Sequence, residues 1–323
     1  MSQLRVLSYA DVVRLLPMDE CIDVVERALA TTARGGAVIP LRMAVWQPDR
    51  SGMIGLMPGV LAEPKSLGLK VVSIFPGNHG TGRDSHQGVV MLFDTSHGEP
   101  LVIIDAASIT AIRTAAASGV ATRALARPDA ATLAILGAGV QGATHLAAMR
   151  AVRPIRHTRI WSRNPEHAHA FAAKHAGVEA VTSARAAVEG ADLVCTCTAA
   201  KQPILEGAWL SPGAHINAVG ACFATSRELD TAAVARARLI VDRMESALNE
   251  AGDFLIPKKE GAFGDSHIAG ELGDILIGKL AGRRTPDEIT LYKSLGIAVE
   301  DLAAAMHVYE RAIATQSGVV VPL

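Results

Sequence analysis

The sequence predicts an α/β chain: a Rossmann doubly wound parallel sheet domain joined to an α+β domain. Three observations lead there. Over 132–241, apolar runs alternate with helix-length segments, the rhythm of parallel strands with crossover helices. Within that stretch, Gly137-Ala-Gly139-Val-Gln-Gly142 stands between an apolar strand and a helix. Over 42–104, short strand-like runs follow one another with turn residues between them, as in a mainly antiparallel sheet.

Taken in order, 19–35 reads as an amphipathic helix. Ile22, Val25, Leu29 and Ala33 share one face, and Gly35-Gly36 ends it. Strand-like runs occupy 42–46, 53–57, 68–73, 88–93 and 100–104. Helical sequence covers 107–126, and Pro128-Asp129 marks a domain boundary. The parallel-sheet runs are 132–136, 158–161, 191–195, 215–219 and 239–241. The glycine-rich stretch 261–273 reads as a loop; Asp265 and His267 in it fit no standard metal spacing. A helix-like segment follows over 287–313, then the apolar tail 319–321. One domain is therefore placed at 1–127, completed by about 300–323, and the other at 128–299.

Composition excludes several function classes. Lys and Arg total 31 and Asp and Glu 32, a net charge of −1. That is too balanced for bulk electrostatic binding of nucleic acid or an anionic membrane. Three Trp, three Tyr and six Phe are too few for a base-stacking platform. The four cysteines lack C-x-x-C spacing, against a disulfide scaffold or structural zinc. With no apolar signal core at the start, the expectation is a cytoplasmic protein without metal.

The glycine motif follows the strand Thr132-Leu-Ala-Ile-Leu136 and opens a helix, the context a dinucleotide site needs. Gly137 permits the tight turn, Gly139 admits a pyrophosphate, and Gly142 lets the helix approach the strand. After the next strand, an acidic residue would bind the ribose of NAD; this chain has Ser162-Arg163-Asn164. A guanidinium and a hydroxyl suit a 2′-phosphate, so NADP(H) is favoured over NAD(H). The plain alternative is that Arg163 is a solvated surface charge.

Arg42, Lys70 and Arg113 are cations in apolar surroundings. Singly, each fits a snorkelling or edge-strand charge. Together, beside a nicotinamide site, they suggest a pocket for a small carboxylate. His145, His157, His167, His169 and His175 read as residues on or near the helices of the second domain, on solvated faces.

These residues carry a family resemblance. The chain resembles the ornithine cyclodeaminase/mu-crystallin family over nearly its full length, through Ile39-Pro-Leu-Arg42, Gly55-Leu-Met-Pro58, Leu69-Lys70, Ser85-His-Gln87, Ile112-Arg113-Thr-Ala-Ala, the glycine motif, Gly213-Ala-His-Ile-Asn-Ala-Val-Gly220, Arg227-Glu-Leu-Asp230 and Tyr292-Lys-Ser-Leu-Gly296. The resemblance implies a homodimer. It makes the first domain the substrate-binding and dimerisation domain and the second the NAD(P)-binding domain. It also implies hydride chemistry at the α-carbon of an imino or amino acid. By resemblance, Lys70, Arg42 and Arg113 are the catalytic candidates, and Arg42 and Lys70 hold the substrate carboxylate, with Cys222 and Leu295 near the substrate. Ser85, His86, Gln87, Arg113, Gly137, Ala138, Gly139, Val140, Gln141, Ser162, Arg163, Asn164, Thr198, Val219 and Ser294 would lie along the coenzyme.

One departure narrows the activity. Cyclodeaminases and alanine dehydrogenases of the family carry an Asp shortly after Asn-Ala-Val-Gly, where this chain has Cys222. A thiol cannot replace a carboxylate paired to an ammonium, and a packing role for Cys222 is the simpler reading. The mu-crystallin branch, which reduces ketimines with NADPH, also lacks that Asp. The expectation is an NAD(P)H-dependent imine or ketimine reductase of a small α-imino acid. The alternatives are a cyclodeaminase, an alanine-dehydrogenase-type enzyme, or a non-catalytic NADP(H)-binding protein.

Overall fold

The computed structural model of the chain describes residues 3–78 and 81–323. In chain order the elements are β1 (Gln3–Leu7), α1 (Tyr9–Leu15), α2 (Met18–Ala33), β2 (Ala37–Val38), β3 (Met43–Trp46), β4 (Met53–Ala62), β5 (Lys65–Ile74), β6 (His86–Phe93), β7 (Pro100–Asp105) and α3 (Ala106–Leu125). Next come β8 (Thr132–Leu136), α4 (Val140–Val152), β9 (His157–Trp161), α5 (Pro165–Lys174), β10 (Val178–Ala180), α6 (Ala184–Val188), β11 (Leu193–Thr196) and β12 (His215–Ala218). The rest are α7 (Thr231–Arg236), β13 (Arg238–Val241), α8 (Met244–Glu250), α9 (Gly252–Lys259), β14 (Ile268–Glu271), α10 (Leu272–Leu276), β15 (Thr290–Lys293), α11 (Ala298–Ala314) and β16 (Val319–Pro322). None of these helices is long and apolar enough to cross a membrane.

Residues through Arg113 form one compact unit with Ile297–Leu323, and Thr114–Gly296 form the other. The chain changes unit inside α3 and not at Pro128. The helix is continuous across Arg113-Thr114, so no linker sequence marks the passage.

The first unit is built on a mixed sheet ordered β16-β1-β7-β6-β5-β4-β2, with β3 also on β4. Its pairs are antiparallel except β1–β7. The apolar face of α2 (Ile22, Val25, Leu29) is fully buried, and each such side chain contributes about 1.5–3 kcal/mol. Gly35, with φ +82°, follows the end of this helix. β4 alternates: Met53, Met57 and Leu61 are buried on one face, while Ile54 and Val60 on the other are exposed. The outer face continues through half-buried Leu67, Leu69 and Val71 of β5, so this sheet is apolar on both sides.

The second unit is an all-parallel sheet of eight strands, ordered β10-β9-β8-β11-β12-β15-β13-β14. The strand order reverses between β8 and β11, and ligands of such sheets bind beyond the strand C-termini at that point. Two expectations are corrected. The supposed helix 287–313 is β15, a break, and α11. Thr290-Leu-Tyr-Lys is buried throughout, so it lacks the alternation that reveals a strand, and Gly296 at φ +78° separates it from the helix. The supposed loop 261–273 contains β14 and the start of α10.

Candidate active site

In the second unit, every nominated coenzyme residue leaves the sheet at the same edge. Gly137–Gln141 follow the C-terminus of β8, Ser162–Asn164 follow β9, Thr198 follows β11, Val219 follows β12 and Ser294 follows β15. Because the strands are parallel, their C-terminal ends align, and five sequence-distant segments come to one side.

The glycine loop has the geometry its spacing suggests. Gly137 has φ +116°, and a Cβ there would lie 2.5 Å from the Cys197 carbonyl oxygen. A Cβ on Gly142 would lie 2.2 Å from the Gly137 carbonyl oxygen. A Cβ on Gly139 would meet nothing within 4 Å. Gly139 is also the N-cap of α4 and provides no side-chain cap. The first amides of α4 are thus left without a capping side chain, beside open space at Gly139, as phosphate binding requires. The buried Oε1 of Gln141, one residue into the helix, has no hydrogen-bond partner. These features fit a dinucleotide.

Ser162 is half-buried, and Arg163 and Asn164 are exposed. Asn164 has a structural duty: its side chain accepts the Glu166 amide at 3.0 Å and caps α5. Val140 is exposed and Ala138 half-buried. Val219, Ser294 and Leu295 are buried, and Leu295 donates its amide to Asp242 at 2.6 Å. Cys222 is half-buried and its Sγ lies 3.3 Å from the Val219 carbonyl.

In the first unit, Lys70 and Arg113 cluster around two carboxylates, Glu300 and Asp301. Lys70, buried on β5, places Nζ 2.9 Å from Oδ1 and 2.8 Å from Oδ2 of Asp301. Arg113, buried on α3, donates from Nε to Asp301 at 2.8 Å and from NH1 to Glu300 at 2.7 Å. Both acids sit fully buried in the first turn of α11, where the helix dipole favours negative charge. The two cations are therefore balanced by the chain itself. Burial pushes the Lys70 pKa down to about 8; Asp301 opposes this, and Arg113 and Arg42 add to it. Burial also opposes the charge on Arg113, but Asp301 and Glu300 outweigh it and raise its pKa. Arg42 is half-buried just before β3.

Ser85, His86 and Gln87 are not brought to this cluster. The β5–β6 register sets His86 opposite Ile74, four residues along the strand from Lys70 and so roughly 13 Å away. There Ser85 Oγ lies 3.0 Å from His86 Nδ1, and Gln87 donates to the Asp84 carbonyl at 3.1 Å.

Sequence reasoning missed Glu300 and Asp301. Their signal was present: two adjacent acids inside Ile297-Ala-Val-Glu-Asp-Leu-Ala-Ala-Ala. A second correction concerns His145, which is fully buried and not on a solvated face. Its Nδ1 meets the Gln141 carbonyl at 2.7 Å and its Nε2 meets Ser118 Oγ at 2.9 Å. Among the described residues, no three His, Cys, Asp or Glu side chains are grouped as metal donors.

The chain is similar to known proteins. Ketimine reductase mu-crystallin of Mus musculus is 41% identical over 289 residues, covering 88% of this chain and 90% of that protein. A Δ1-pyrroline-2-carboxylate reductase of Thermococcus litoralis, solved with NADH and L-proline, is 40% identical, with a TM-score of 0.95 and coverage of 98% and 99%. An archaeal alanine dehydrogenase dimer with bound NAD is 29% identical, with a TM-score of 0.94 and full coverage of both chains, 100% each. The ornithine cyclodeaminase/mu-crystallin family model matches residues 3–316. With the glycine loop, the parallel-sheet edge and Lys70 in place, the chain belongs to the ornithine cyclodeaminase/mu-crystallin family.

Proposed function

We propose that the chain is an NAD(P)H-dependent reductase that converts the C=N bond of a cyclic α-imino acid into a proline-type amino acid. The observation that carries this reading is Lys70: a buried ammonium held by both carboxylate oxygens of Asp301, with its pKa lowered to about 8 by burial. The Thermococcus and mouse relatives are a pyrroline-carboxylate reductase and a ketimine reductase, and those substrates are the ones carried over. When bound, the reduced nicotinamide supplies the hydride for the C=N carbon.

The residues divide the remaining work. Arg42 and Lys70 hold the substrate carboxylate. Lys70 keeps a proton near neutral pH and delivers positive charge, or the proton itself, to the imine nitrogen, since an iminium accepts hydride more readily. Arg113 fixes Asp301, and Asp301 in turn fixes Lys70. The family resemblance assigns Cys222 and Leu295 to the substrate and Ser85–Gln87 to the coenzyme. The open cradle at Gly139 takes the pyrophosphate, and Arg163 takes a 2′-phosphate, giving a preference for NADPH. The thiol at Cys222 disfavours a cyclodeaminase, and the retained Lys70–Arg113 cluster disfavours a purely binding role.

The working form is a homodimer. Met43 is 53% exposed, Val45 61% and Ile54 45% on one sheet face, an apolar face suited to a second copy of the chain. A mass of twice 33.7 kDa by light scattering is expected; a monomer refutes the dimer.

Absorbance at 340 nm tests the activity. Δ1-Pyrroline-2-carboxylate and its six-membered homologue should oxidise NADPH, and pyruvate with methylamine more slowly. Ammonia release from L-ornithine, or silence across this panel despite tight NADPH binding, would overturn the reading.

A further inference from the structure

The Arg227-Glu-Leu-Asp230 segment contains a buried acid that the reaction above does not use. Glu228 is fully buried, yet its carboxylate meets four donors. Oε1 accepts the Thr198 amide at 2.7 Å and the Thr198 hydroxyl at 2.6 Å. Oε2 accepts the Thr196 hydroxyl at 2.7 Å and the Gly220 amide at 2.8 Å. Thr196 ends β11, Thr198 lies two residues beyond it, and Gly220 lies two residues beyond β12. One carboxylate thus ties together the two loops at the central strands of the parallel sheet.

A second layer holds Glu228 itself. Asp253, buried at the start of α9, accepts the Glu228 amide at 2.7 Å and the Leu229 amide at 3.0 Å. Its Oδ2 lies 3.0 Å from Nζ of Lys293, the buried last residue of β15. The ends of β11, β12 and β15 are joined through three buried charges. The loops approach so closely that a Cβ on Gly220 would lie 2.0 Å from the Thr198 carbonyl oxygen and 2.6 Å from Glu228 Oε1.

Buried ion pairs add little net stability compared with apolar packing, because desolvation offsets the attraction. What a carboxylate with four directed donors provides is a fixed loop geometry. The first of these loops follows β11, beside the point where the strand order reverses and a dinucleotide lies in such sheets, and Glu228 ties the loop after β12 to it. From this we infer that Glu228 is the positioning residue for the nicotinamide half of the coenzyme, acting through the Thr198 and Gly220 loops. The inference rests on the reading of the chain as an NAD(P)H-binding reductase.

Glu228→Gln tests it. The amide keeps the shape but turns an NH2 toward donors that need an acceptor. Binding of NADPH, followed by its fluorescence, should weaken about tenfold, with KM for the coenzyme raised in step. Binding of adenosine 2′-phosphate, which reaches only the Arg163 end, should change less than about twofold. A general loss of structure would weaken both ligands alike. NADPH binding within about twofold of wild type, or equal losses of both ligands, overturns the inference. If Glu228→Gln does not fold, Thr196→Val removes one donor and retains the charge. It should weaken NADPH about threefold and spare the fragment; unchanged NADPH affinity overturns the inference there too. Wild-type protein that binds neither NADPH nor NADH would refute the reductase reading first, and the role of Glu228 with it.

Discussion

Asp301 holds Lys70 with both carboxylate oxygens, at 2.9 and 2.8 Å, while Oδ1 also receives Nε of Arg113 at 2.8 Å. One carboxylate thus fixes two buried cations from different elements, β5 and α3. Replacing it with Asn leaves Lys70 and Arg113 facing only Glu300 as a buried anion. Breaking a buried pair from one side costs about 3–5 kcal/mol. Urea denaturation of Asp301→Asn should show a loss of that order. The double variant Asp301→Asn/Lys70→Met should recover part of it, because the unpaired ammonium is gone. Additive losses would mean the two side chains are not energetically coupled.

The pH dependence of turnover follows from the same pair. Lys70 has its pKa lowered to about 8, so the ammonium is present below that pH and lost above it. With Lys70 as the acid, kcat/KM should be level below about pH 8 and fall about tenfold per unit above it. Asp301 opposes the lowering, so Asp301→Asn should move the break to lower pH. Lys70→Arg keeps its charge throughout and should abolish the break, at a lower rate. A break that persists unchanged in Lys70→Arg assigns it to another group.

Much of this was legible in the residues, for definite reasons. The glycine loop is a local pattern, so strand, turn and helix were all visible around Gly137–Gly142; the motifs at Arg42, Lys70 and Arg113 led to the family, and Cys222 in place of an Asp led to C=N reduction. The partners of the cations were not legible. Asp301 lies 231 residues from Lys70, and nothing in either segment states that α11 will lie against β5. For the same reason the cations read as an anion site alone, although the chain also supplies two carboxylates of its own. β15 was hidden because all four of its residues are buried, which erases the period-two signal. His145 looked solvated because its helix, α4, has little amphipathic contrast; only the Ser118 partner on α3 reveals why a histidine is tolerated there.

The proposed preference for NADPH rests on Arg163. It is exposed, and among the described residues no carboxylate pairs with it, so its guanidinium is available to a phosphate. Arg163→Ala should raise KM for NADPH about tenfold and leave KM for NADH within about twofold. Equal kcat/KM values for the two coenzymes in wild type would leave Arg163 as a surface charge. The Thermococcus relative was solved with NADH, which makes that comparison the informative one.

Acid stability provides a test independent of turnover. His145 is fully buried, and burial pushes its pKa down to about 4 from 6.5, against the opposing bond to Gln141. Since the Gln141 carbonyl can only accept, Nδ1 carries the proton and Nε2 accepts from Ser118. The folded state therefore keeps the imidazole neutral, while the unfolded chain protonates near its ordinary value. Stability from this group is complete above about pH 6.5 and is lost as the pH falls toward 4, by up to about 3 kcal/mol. His215, pushed down to about 3 mainly by burial, acts in the same direction. His145→Gln should be less stable than wild type at pH 7.5, because the ring packing and one hydrogen bond are lost. It should also lose less on going to pH 5, because one buried proton acceptor is gone. Parallel stability–pH curves for the two proteins would show that His145 is not a source of acid sensitivity.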